Sequence, residues 1–144
     1  MSTDRPTWEA YWAKVNSEEY LAAKRLLELS SIQHDAAQWL EWHRDREYDD
    51  DGNEVGWSDP WPTLDWDGWI KDYDERGRGW SSTEHGLFQI VAALVASEER
   101  AFPFRRTLGY LGSWETEVWE VLVEWGTGGN NRDIAGRATV TSSR

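Results

Sequence analysis

The chain has 144 residues and no cysteine, and 27 acidic side chains against 15 basic ones set its net charge at −12. That composition excludes disulfides, thiol catalysis and thiolate metal sites, and a field of this sign repels phosphate backbones and anionic lipid. No apolar run approaches the ~18 residues of a bilayer span, and the first residues lack the apolar stretch of a signal peptide, so a cytoplasmic protein is the expectation.

The first helix is expected over 7–29, capped by Thr7, with Trp8, Trp12, Val15, Ala22, Leu26 and Leu29 on one stripe. Glu19 interrupts that stripe, and Asn16 with Glu19 reads as a capping box that restarts the helix near Ser17. A second helix is predicted over 31–47, with Ile32, Ala36, Trp39, Leu40 and His43 on one face. From Tyr48 to Trp80 the pattern changes. Asp51-Gly52, Asp59-Pro60 and Trp61-Pro62 signal turns, ten acids face three bases, and Trp66, Trp69, Ile70 and Tyr73 keep the spacing of a short helix over 64–74. Disordered segments are poor in aromatics, so this stretch reads as a folded excursion.

Ser81 and Glu84 form the clearest capping box, opening a helix to about Ser97 that is apolar nearly all round and therefore central to the core. Pro103 marks a break, Phe104–Leu111 a short helix, and Ser113 the cap of a last helix ending at Trp125, with Gly126 in the usual C-cap place. On that helix Trp114, Val118, Val121, Leu122 and Trp125 share the core arc and Glu117, Glu120 and Glu124 an acidic ridge, while Trp119 and Val123 lie on neither. Either another segment covers those two or they form an exposed patch flanked by carboxylates. The last three helices invite comparison with a helix-turn-helix, but the would-be reading helix carries four Glu and no Lys or Arg, which opposes DNA binding.

The expected fold is thus mainly α: a single compact domain of about five helices over 1–126, with the Trp/Asp-rich excursion at 48–80 and a flexible or short-strand tail over 127–144. No motif points to a metal, a cofactor or catalytic residues. Asp49, Asp51 and Asn53 fit the opening of an EF-hand loop, but Glu54 stands where Gly is needed and Pro60 where a bidentate Glu is needed. His34 and His43 lack zinc-site spacing, and His43 is expected as a core histidine that can pair with Glu47. The Gly126–Asn131 run lacks the lysine and following helix of a phosphate loop.

The remaining anomaly is aromatic. Twelve Trp among twenty aromatic rings exceed what so small a core is expected to hide, and exposed Trp is uncommon unless something binds it. The expectation is a non-enzymatic, acidic protein-binding module that engages a basic, nucleic-acid-binding protein, as an inhibitor, an immunity protein or a nucleic-acid mimic would, without binding nucleic acid or membrane itself. Trp57, Trp61, Trp66 and Trp69 are its expected anchors. Asp49, Asp50, Asp51, Asp65, Asp67, Asp72 and Asp74 supply the field, and Trp119, Glu120 and Val123 a second patch. The alternatives are a small-molecule or carbohydrate binder that stacks its ligand on Trp, and a hydrolase relying on carboxylates.

Overall fold

A computed structural model describes residues 5–127. The described residues are 56% helical, with seven α-helices and two small antiparallel sheets among them, so the fold is mixed rather than purely helical. The expected tail lies, beyond Thr127, outside the described residues.

Helix α1 (Trp8–Ala13) starts where Thr7 Oγ1 accepts the Ala10 amide at 3.0 Å. The expected restart is real, but its cap is Ser17, whose Oγ accepts the Tyr20 amide at the head of α2 (Glu18–Leu27). Helix α3 (Ile32–Ala37) is short, and the helix expected to run to 47 gives way to strands β1 (Leu40–His43) and β2 (Arg46–Tyr48). Solvent exposure explains the change. Residues 41–51 all face water, so a helix there would have no apolar face to bury, whereas an extended chain pairs its backbone with β3 (Glu54–Trp57) and β4 (Trp61–Leu64).

Helix α4 (Trp66–Arg76) comes directly after β4, capped by Asp65, whose carboxylate accepts the Gly68 amide at 3.0 Å. Helix α5 (Ser82–Val95) opens on the expected box: Ser81 Oγ accepts the Glu84 amide at 3.2 Å, and the Ser81 amide donates to Glu84 Oε1 at 3.1 Å. These bonds hold the Glu84 carboxyl below the usual range, and its other oxygen takes the Ser30 hydroxyl at 3.1 Å, tying α5 to the start of α3. Helix α6 spans Phe104–Gly109. Helix α7 spans Glu115–Thr127, so Gly126 lies within its last turn instead of ending it.

The core centres on α5, which packs against α2, α4 and α6, while α2 also packs against α7. Its fully buried members include Leu26, Leu27, Trp69, Leu87, Phe88, Val91 and Val118. A chain of ring contacts crosses it. Trp12 meets Tyr11 at 4.9 Å, Trp66 meets Trp69 at 5.8 Å, Trp69 meets Phe88 at 4.9 Å, and Phe88 stacks on Tyr73 at 3.7 Å. Trp66 Nε1 donates to Tyr11 Oη at 3.0 Å, joining α4 to α1. Much of the aromatic load is therefore interior structure. Of the twelve Trp, three are buried, five are half-buried and four are exposed: Trp42, Trp57, Trp61 and Trp119.

Candidate docking surface

The four strands form one projecting arm. Leu40 faces Leu64 and His43 faces Trp61 in the inner ladder, and Arg46 faces Trp57 and Tyr48 faces Glu54 in the outer one. Between the ladders the Asp45 amide donates to Ser58 Oγ at 2.9 Å and the Ser58 amide to the Asp45 carbonyl at 2.7 Å, so both strands run on through the break. The tip is built by Asp49, whose Oδ1 accepts the amides of Asp51 and Asn53 at 3.0 and 2.9 Å, and by Gly52 at φ 84°. Gly56, at φ 141°, supplies the backbone freedom beside the irregular Glu47/Tyr48 step.

The base of the arm is held by the core, through the buried Leu40, Pro62 and Leu64 and the contact of β4 with α1. An isolated two-stranded hairpin is marginal in water, so the outer part depends on its own side chains. Trp57 lies beneath the guanidinium groups of Arg46, at 4.5 Å, and Arg44, at 5.5 Å, and Arg46 also pairs with Glu54. His43 meets the Trp61 ring edge-on at 4.9 Å, and its Nε2 lies 3.1 Å from Asp45 Oδ1. This overturns the expected core role of His43 and its pairing with Glu47, because the residues sit on strands and His43 is exposed.

Large apolar groups nonetheless face water along the arm: Trp42 is 50% exposed, Trp57 49% and Trp61 36%, with Tyr48 and Val55 more exposed still. Residues 40–64 also carry eight acids against two bases, a net −6 that is half of the molecule's charge. Aromatic surface and negative charge thus coincide.

The residues expected to form one binding surface fall in three places. Trp57, Trp61, Asp49, Asp50 and Asp51 are on the arm, and all are exposed. Trp66 and Trp69 are in the core, 4% and 0% exposed, and cannot meet a partner; the helical spacing that placed them on one face of α4 turned that face inward. The acids near them serve the fold. Asp65 caps α4. Asp67 Oδ1 accepts the Ser97 amide at 3.0 Å, and Asp72 pairs with Arg78 at 2.9 Å. Asp74 takes both Nη atoms of Arg100 at 2.8 Å, which lowers its carboxyl pKa.

Trp119, Glu120 and Val123 lie on the outer face of α7 and are exposed, and Trp119 meets the ring of Phe104, itself exposed, in an edge contact at 6.4 Å. Neither the arm nor α4 covers them. Trp42, Tyr48 and Val55 were not expected at the surface site. The available signal was Asp51-Gly52, a hairpin dipeptide, between residues that alternate as strands do.

Among the described residues no group of three or more His, Asp or Glu side chains is placed to hold a metal ion, and no helix is long and apolar enough to cross a membrane. No family model, curated protein or solved structure matches the chain, so a functional reading rests on the geometry of the arm.

Proposed function

We propose that this protein is a non-enzymatic binding module that docks its β-arm onto a basic surface of another protein. The observation that carries this reading is the coincidence of three exposed indoles, Trp42, Trp57 and Trp61, with half of the net negative charge on one projecting element. Interfaces draw their energy from a few desolvated aromatic anchors, and complementary charge sets orientation and the rate of encounter. An acidic arm of this kind suits a partner whose surface is evolved to hold phosphates, so the activity we assign is inhibition or neutralisation of a nucleic-acid-binding protein. Two features favour the arm as the docking element over the acids of α4: its carboxylates at 49–51 form no ion pair among the described residues, and Arg44 and Arg46 hold Trp57 in a stacked geometry before any partner arrives.

The test is affinity capture from the native lysate with the intact protein and with a Trp57→Ala/Trp61→Ala variant, followed by purification and reconstitution of whatever only the intact protein retains. The expected partner is basic, its affinity falls as salt rises, and the double substitution weakens the purified complex by about 100-fold, the size of one or two anchor side chains. A reconstituted partner that is acidic, or that binds the double variant with unchanged affinity, contradicts the proposal.

A further inference from the structure

The cleft between α5 and α6 is chemically unlike the rest of this acidic molecule. Gly86 lets α6 approach α5 closely at its floor: a Cβ there would stand 3.1 Å from the Thr107 carbonyl oxygen, tighter than most side chains tolerate, and 3.6 Å from a Leu111 methyl. The cleft is open, with a volume of about 270 Å³. Pro103 and Tyr110 give it apolar walls, and Ser82, His85, Gln89 and Arg106 give it hydrogen-bonding groups. No Asp or Glu lines it, whereas the cleft beside Arg100 is lined by Asp67, Glu98 and Glu99, and that between α2 and α7 by Glu18 and Glu124.

His85 Nδ1 lies 2.7 Å from Tyr73 Oη. Burial raises the Tyr73 pKa, so the phenol keeps its proton. Tyr73 and Trp80 flank the His85 ring at 5.7 and 5.8 Å and fix its orientation. Arg106 forms no ion pair among the described residues, in a protein with nearly two acids for every base.

We propose that this cleft is a binding site for a small organic monoanion, a carboxylate on an apolar or aromatic body, held by the Arg106 guanidinium and by the polar side chains of His85, Ser82 and Gln89. The volume is below the ~300–1,000 Å³ of drug-sized sites, so the ligand is of about the size of one substituted ring. A polyanion is opposed by the −12 field of the whole molecule, which a single negative charge meets only once. The site is independent of the arm and of the reading built on it.

Benzoate is the probe, followed by NMR of the His85 ring and the Gln89 side-chain amide in the intact protein. Benzyl alcohol, which keeps the ring and loses the charge, and inorganic phosphate, which keeps a charge and loses the ring, are the comparison arms. The expected result is a saturating shift with benzoate, binding at least about tenfold weaker for each comparison ligand, and a loss of about tenfold in Arg106→Gln, as for a charge-assisted contact. Arg106 is exposed, so that variant keeps its fold, and unchanged core resonances check this. No saturating shift, equal affinity for benzyl alcohol or phosphate, or an unaffected Arg106→Gln variant would each overturn the proposal.

Discussion

Trp69 and Trp57 are the same residue type put to opposite uses, and the difference is measurable. Trp69 is fully buried between Trp66 and Phe88. Trp69→Ala should lower unfolding free energy by about 3–5 kcal/mol, the range for a large aromatic removed from a core, as read by denaturant titration. Trp57→Ala, at a half-exposed site held by two arginines, should cost under about 1 kcal/mol in the same titration. Equal losses at the two positions would make the arm part of the core. Tyr11 gives a second test. Its phenol is 5% exposed, and burial pushes its pKa from 10.0 up to about 12. The raised value means that the unfolded chain releases this proton first. Stability from the buried neutral phenol is intact below pH 10 and falls between about pH 10 and 12, by on the order of 2–3 kcal/mol. Tyr11→Phe should flatten that alkaline fall, and an unchanged slope would show that Tyr11 is not its source.

Among the elements, the helices were legible where their signals are local. Thr7, Ser81 with Glu84, the apolar circumference of α5 and the inward arc of α7 all act within one or two turns, and each element formed where its signal lies. Ser81→Ala should lower stability by about 1 kcal/mol, through the cap that also anchors Glu84 to Ser30. The arm was not legible as strands. Ile32, Ala36, Trp39, Leu40 and His43 satisfy a helical period, and the partners that decide otherwise lie 18 to 24 residues further on, at Trp61–Leu64. Pairing at that distance leaves only the hairpin dipeptide as a local trace. Likewise, nothing in the spacing of Asp65, Asp67, Asp72 and Asp74 reveals that Gly68, Ser97, Arg78 and Arg100 will occupy them. Because Asp49 alone gathers the tip amides, Asp49→Ala should speed amide exchange over 48–54 while leaving the global melting temperature nearly unchanged. A loss of melting temperature as large as that of Trp69→Ala would show the arm to be cooperative with the core.

For the molecule as a whole, the division is between a core that takes in eight of the twelve indoles at least in part and an arm that holds three of the four others. Exposed indole therefore lies beside dense charge on the arm, whereas at α4 the indoles are buried and the acids are engaged within the fold. Charge of this kind acts on encounter more than on residence. Asp50→Asn with Asp51→Asn, two tip carboxylates that build no part of the turn through their side chains, should slow association with a basic partner and flatten its dependence on salt while leaving dissociation nearly unchanged. The most direct measurement of the docking claim is fluorine NMR of the protein labelled with fluorotryptophan, recorded as the reconstituted basic partner is added. Trp42, Trp57 and Trp61 should shift or broaden together while Trp66 and Trp69 stay fixed; a partner that perturbs Trp119 and leaves the three arm indoles untouched would contradict the account.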